Sequence, residues 1–120
     1  MLKKRNRLTR AEFDKVFKAN KSFHSKHLTL LVADSSVVFD TKYAVVVSKK
    51  VLPRRVDRNK LRRMLYRMFK TVIIARGYKA PAAILMIKKQ YRADNIDMTD
   101  ADFVAECQSL ISNLTSSRLQ

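Results

Sequence analysis

Between Lys49 and Lys70 the chain carries ten basic side chains and a single acid, Asp57, threaded through a helical repeat of apolar residues. Leu61, Leu65, Met68, Phe69 and Val72 recur every three or four positions. That spacing predicts a helix from Asp57, as N-cap, to about Ala75, with Gly77 stopping it and one face buried. At about 100° per residue, Asn59, Arg63, Tyr66 and Lys70 line the opposite face, with Lys60 and Arg67 beside them. Arg58 and Arg62 fall at the margin of the apolar stripe, where they would border a cleft between helix and sheet. A solvated helix normally mixes Glu with Lys for pairing one turn apart, and this one has almost no acid to offer. Its cations need an anion from elsewhere.

The whole chain repeats the imbalance. Its 120 residues hold 26 Lys and Arg against 10 Asp and Glu, a net charge of +16. Residues 1–92 contain 25 basic and 5 acidic residues, while 93–120 contain one and five. A surface that was merely solubilising would intersperse the two signs. The excess points to nucleic acid as the partner. Arg forks grip phosphate with two parallel bonds, and Asn59 can bond a base edge or a sugar hydroxyl. The basic start (Lys3, Lys4, Arg5, Arg7, Arg10) reads as an arm that would order on RNA.

Length and composition suit one compact α+β domain over 1–120, with residues 1–8 as the arm. Hydrophobic residues make up 47% and Gly occurs once, which argues against disorder. No apolar run approaches a membrane span, and no secretory leader opens the chain, so a cytoplasmic protein is expected. Thr9 and Glu12 form a capping box, with Leu8 stapled to Phe13, ahead of a short helix ending near Asn20. Phe13, Val16 and Phe17 share one face of it. His27–Ala33 alternates as a strand, Asp34-Ser35-Ser36 turns it, and Val37–Phe39 and Lys42–Ser48 follow as strands. Ala82–Ile87 reads as a buried strand. Thr99 is expected to cap a last helix whose Phe103, Cys107, Leu110, Ile111 and Leu114 face inward. The order α-β-β-β-α-β-α implies one sheet with helices packed on it.

Protein-borne catalysis finds little support. His24 and His27 read as surface histidines without acid/base partners. Glu12, Asp14, Asp34, Asp40 and Asp57 are scattered, and none makes the carboxylate pair of a two-metal nuclease. Asp94, Asp97, Asp100 and Asp102 cluster, but without the Gly and terminal Glu of a calcium loop, so capping and loop solvation account for them. Cys107, the lone cysteine, reads as core and rules out an internal disulfide. Phe13 and Phe17 are most simply core, although an aromatic beside a basic groove can instead stack on a base.

These residues resemble a known family. KKRNRLTRAEFDKVFKANKSF near the N-terminus, Ser48-Lys49-Lys50, and RNKLRR at Arg58–Arg63 are similar, in order and spacing, to the bacterial ribonuclease P protein over roughly residues 2–90. The resemblance implies a sandwich like ribosomal protein S5 domain 2, with a left-handed βαβ crossover. It implies an endoribonuclease whose RNA subunit, with Mg²⁺ held through that RNA, does the chemistry. The protein would bind no cofactor alone and need no obligate protein partner. It would bind the RNA subunit and the 5′ leader of precursor tRNA, helping remove the leader. On this reading Lys49, Lys50, Arg54, Arg55, Arg58, Asn59, Lys60, Arg62, Arg63 and Arg67 contact the RNA subunit, and Phe13, Phe17, Ser48, Arg58 and Arg62 form the leader cleft. A non-catalytic ribosomal-type RNA binder is the alternative. Lys60 replaces a usual Arg, the loop Val51–Asp57 is one residue longer, and Ala44, Leu31 and Tyr66 depart from the usual Gly, aromatic and Arg.

Overall fold

The structure, a computed structural model, describes residues 7–18, 20–33, 42–74 and 82–116. The first helix, α1 (Arg10–Lys18), starts as its sequence dictates. The Thr9 N–H donates to Glu12 Oε1 at 2.9 Å, and the Glu12 N–H donates to Thr9 Oγ1 at 3.2 Å. These reciprocal bonds satisfy two amides that a helix N-terminus would otherwise leave unpaired. Lys42 Nζ adds an ion pair to Glu12 at 2.7 Å.

The helix runs to Lys18, close to the expected end near Asn20, and Asn20–His24 then forms a strand, β1, antiparallel to β2 (Leu28–Ala33). Nothing in Asn-Lys-Ser-Phe-His predicts a strand. It is an edge strand, so only Phe23 packs inward against the main core, and no apolar alternation is required of it. β3 is Tyr43–Val46, shorter than the Lys42–Ser48 expected, and β4 is Ala83–Ile87. The expected turn at 34–36, the strand at 37–39 and the stop at Gly77 lie outside the described residues.

The sheet order is β1-β2-β4-β3, with β2 and β4 antiparallel and β3 and β4 parallel (Val45 opposite Leu85). A parallel neighbour needs a crossover, and α2 (Arg55–Phe69) lies on the chain between β3 and β4. Its N-cap is Arg54, in extended conformation and without a side-chain cap, so Asp57 is not the cap. Asp57 instead lies in the first turn, where its charge complements the helix dipole. Beyond Phe69 the chain continues as a π-helical turn, Lys70–Ile74. The wider turn moves the inward position from Val72, half-buried, to Ile73, fully buried.

A short helix, α3 (Gln90–Ala93), follows β4 and buries Tyr91 edge-on to Phe103, with ring centroids 5.1 Å apart. The last helix, α4 (Ala101–Ser116), turns Phe103, Cys107, Leu110, Ile111 and Leu114 inward as its spacing predicts. Asp100, not Thr99, caps it: its Oδ1 accepts the N–H groups of Asp102 and Phe103 at 2.8 and 3.3 Å. Thr99 is occupied with Asp97, whose Oδ1 accepts both its amide and its hydroxyl. Burial pushes the Cys107 thiol up to about 12, so it behaves as a small apolar core residue.

The sheet's two faces are covered unequally. On one, α2 and α4 close the main core around Leu30, Val45, Leu61, Leu65, Leu85 and Ile111. Tyr43 stacks on Phe69 there, centroids 4.3 Å apart and planes 11° from parallel. On the other, α1 inserts Val16 against Leu31, Ala33, Ala82 and Ile84 and leaves Ala44, Val46 and Met86 only half-buried. Burying Val16 contributes roughly 1.5–3 kcal/mol. It also settles which residue of the helix face enters the core: Phe13 is half-buried and Phe17 keeps 50% of its surface exposed.

Candidate RNA interface

Two segments far apart in sequence meet along the outer edge of β3. Arg7 forms an isolated parallel bridge with Tyr43, and the Leu8 N–H donates to the Tyr43 carbonyl at 3.1 Å. From the other side Tyr66 of α2 accepts the Val45 N–H on its hydroxyl at 3.2 Å. Between them runs a groove of about 450 Å³ lined by Arg7, Val45, Asn59, Arg62, Arg63 and Tyr66. Arg62 Nη2 donates a short hydrogen bond to Asn59 Oδ1 one turn earlier. That contact occupies the amide's acceptor and leaves its NH₂ for a ligand. Three arginines and a side-chain amide thus converge, and among the described residues no carboxylate lines the groove.

Sequence alone puts Asn59 and Arg63 on the polar face of α2 and Arg62 at the margin of its apolar stripe, and the fold brings these three together in the groove. Lys60, Arg63 and Arg67 are exposed on α2. Arg54, at the N-cap, makes a loose ion pair with Asp57 at 3.9 Å, and Arg55 is exposed beside it. Ser48, Lys49 and Lys50 are exposed in the loop that follows β3. Arg58 does something else. Its Nη1 donates to the carbonyls of Leu52 and Pro53 at 3.0 and 2.8 Å, folding the side chain onto its own loop. Phe13 and Phe17 stack on each other at 6.0 Å on α1, and neither they, Ser48 nor Arg58 line the groove beside Tyr66. The expected leader residues are therefore divided between the α1 face of the sheet and the α2 side.

Arg7 is the groove residue that sequence reasoning placed only in a general basic arm. Its one sequence signal is its position two residues ahead of the capping box, which anchors whatever precedes it.

A second polar cluster has the opposite character, and it overturns the expectation of a surface His27. His27 is only 6% exposed. Its Nδ1 lies 2.7 Å from Glu106 Oε1 and its Nε2 2.7 Å from Asp94 Oδ2, while its backbone N–H donates to Glu106 Oε2 at 2.8 Å. Ser25 Oγ donates to the same Oε2 at 2.5 Å. Only an imidazolium has two N–H donors for two carboxylates. Burial works against its charge, but the bonds to Glu106 and Asp94 outweigh burial and raise its pKa above the usual 6.5. Burial likewise opposes ionisation of Glu106, yet Ser25 and His27 hold its pKa below the ordinary value. Asp94 is lowered by the His27 bond and then by Gln90. His24, by contrast, is exposed, as expected.

Comparison with known proteins places the chain in a family. The ribonuclease P family model matches residues 2–115, nearly the whole chain. The chain belongs to the ribonuclease P protein family. It is 27% identical over 122 residues to the ribonuclease P protein component of Synechococcus sp. (strain RCC307), covering 92% of this chain and 93% of that protein. Its fold is similar to that of the Staphylococcus aureus RNase P protein, with a TM-score of 0.64 at 17% identity over 94% of each chain. The Thermotoga maritima RNase P protein superposes with a TM-score of 0.56 at 22% identity, covering 92% of this chain and 96% of that one. The family is one of RNA-binding proteins in tRNA processing, and the ribonuclease P complex is an endoribonuclease. Among the described residues, no helix is long and apolar enough to cross a membrane.

Proposed function

We propose that this chain binds the catalytic RNA subunit of ribonuclease P through the β3-edge groove and the exposed face of α2, and supports removal of the 5′ leader from precursor tRNA. The observation that carries this reading is the convergence of Arg7, Asn59, Arg62 and Arg63 in one groove where no described residue brings a carboxylate, continuous on α2 with exposed Lys60 and Arg67. A phosphate backbone supplies the counter-charges that the protein lacks there, and the side-chain forks fix its register. The leader is assigned to the α1 side. There the stacked Phe13–Phe17 pair stands beside a sheet face covered only in part, and Phe17 offers an exposed ring for a base.

The reaction is hydrolysis of a phosphodiester, and the protein's role in it is binding and orientation. Most acids among the described residues have other work: Glu12 pairs with Lys42, Asp57 with Arg54, Asp94 and Glu106 with His27, and Asp97 and Asp100 hold backbone amides. Mg²⁺ would be held through the RNA and supply the activated nucleophile. Reconstitution tests the assignment. Protein mixed with a ribonuclease P RNA and Mg²⁺ should mature the 5′ end of precursor tRNA, and protein with Mg²⁺ alone should not. Cleavage by RNA-free protein that a point substitution abolishes would transfer the chemistry to the protein and refute this reading.

A further inference from the structure

The loop after β3 carries Lys49, Lys50 and Arg54, with Arg55 just beyond it at the start of α2, so these charges push it apart. It is nevertheless tightly tied. The Ser48 carbonyl accepts the amides of Val51 and Leu52, both at 3.1 Å, and Ser48 Oγ accepts the Lys50 amide at 3.1 Å. Val51 plugs into the core with 2% of its surface exposed. Two guanidinium groups then clasp the outside. Arg58 of α2 donates to the carbonyls of Leu52 and Pro53, and Arg92 of α3 donates from Nη1 to the Lys50 carbonyl at 2.9 Å.

Arg92 is presented by a fixed support. Tyr91 beside it is buried against Phe103, Gln90 Nε2 donates to Asp94 Oδ1 at 2.7 Å, and Asp94 in turn holds His27. The loop is thus gripped from two helices that meet it from different parts of the chain. A cation at either position adds to the local repulsion, so a role in solvating the loop does not explain the choice. A guanidinium aimed at backbone carbonyls does, because each carbonyl accepts a charge-assisted bond and the chain's path is held.

We infer that Arg92 and Arg58 are positioning residues for RNA binding: their bonds to the Lys50, Leu52 and Pro53 carbonyls hold the 48–54 loop in the shape that presents its cations to phosphate. The inference rests on the proposed RNA-binding function and assigns these two arginines to the loop rather than to the RNA. A loop ordered beforehand loses less freedom on binding than one the RNA must order.

The test compares Arg92→Gln, Arg92→Lys and Arg58→Gln with the unaltered full-length chain. In free protein, the Val51 and Leu52 amides of Arg92→Gln should exchange hydrogen roughly tenfold faster, while amides of α4 keep their rates. With ribonuclease P RNA, Arg92→Gln should bind roughly threefold to tenfold more weakly at every salt concentration, with the slope of log affinity against log salt unchanged. Arg92→Lys, which keeps a charged donor, should recover most of both losses, and Arg58→Gln should repeat the Arg92→Gln pattern. A slope shallower by about one unit would show that the arginine contacts phosphate directly, and it would overturn the inference. Unchanged affinity, or unchanged exchange in the loop, would overturn it equally. Failure of the underlying function looks different: the unaltered protein itself would not bind the RNA, while the exchange measurement would still report on the clasp.

Discussion

The α2 surface and the His27 cluster are both polar and both rich in charge, and they are built in opposite ways. At His27 the imidazolium meets two carboxylates at 2.7 Å each, a backbone amide and a serine hydroxyl donate to Glu106 Oε2, and Lys26 Nζ stands 3.7 Å from Asp94. On α2 and the turn after it, exposed Lys60, Arg63, Arg67 and Lys70 have no ion pair among the described residues, and the loose Arg54–Asp57 contact is the nearest approach to one. A charge answered inside the chain stabilises the fold. A charge left unanswered is available to a partner. The contrast separates residues whose loss should unfold the protein from residues whose loss should release RNA.

The largest expected effect lies on the open side. Replacing Arg62 and Arg63 together by Ala should weaken binding to ribonuclease P RNA by roughly fiftyfold near 0.1 M salt and make the salt slope shallower by about two, the signature of two phosphate contacts. Thermal melting should barely move. A large drop in melting temperature with an unchanged slope would break the distinction between the two regions.

The closed side should behave in reverse. Glu106→Ala should destabilise the protein by about 2 kcal/mol, less than the ~3–5 typical of a fully buried pair because Glu106 keeps some solvent contact. The salt slope for RNA should not change. The same cluster sets a pH window. His27 is raised above 6.5, so its contribution is complete below that value and is lost as pH rises through the raised pKa. Glu106 and Asp94 are lowered from 4.5 and 3.8, so theirs is present above those values and is lost as pH falls through the lowered ones. Stability from the cluster should therefore decline on both sides of a mildly acidic to neutral plateau. His27→Gln should flatten the alkaline limb in chemical-denaturation curves, and an alkaline limb that survives the substitution would assign it to another group.

The smallest effect is the finest test. Phe17 is half exposed, so Phe17→Ala should cost less than about 1 kcal/mol of stability, well short of the ~3–5 for a core phenylalanine. If the ring stacks on a leader base, holoenzyme affinity for precursor tRNA should fall by about 1–2 kcal/mol while affinity for mature tRNA stays constant. Equal losses for both tRNAs would remove the leader from α1.

Much of this was legible because it is local. The capping box at Thr9 and Glu12 involves neighbours three residues apart, and the apolar stripes of α2 and α4 repeat within a turn. The polar face of α2 follows from the same repeat read from its other side, which is why the spacing of Asn59 and Arg63 alone sets them one turn apart on that face. Asp57 and Thr99 failed as caps because several residues near each helix start can serve, and which one does depends on where the chain enters the turn. β1 was invisible because an edge strand with one inward residue leaves no alternation to read.

The sequence by itself determined that the chain would form amphipathic helices around one sheet, that its basic residues would crowd one helix face, and that their counter-charge had to come from an anionic partner. Periodicity and composition carry those conclusions, since they depend on residues within a few turns of one another. Only the tertiary structure decided that His27 is a buried cation, that Arg7 joins the α2 groove, and that Arg92 clasps the loop. His27 and Glu106 are 79 residues apart, His27 and Asp94 67, and Arg92 and Lys50 42. Whether a charge is solvated, paired or aimed at a carbonyl depends on what the fold sets beside it, and no local pattern of residues encodes that neighbour.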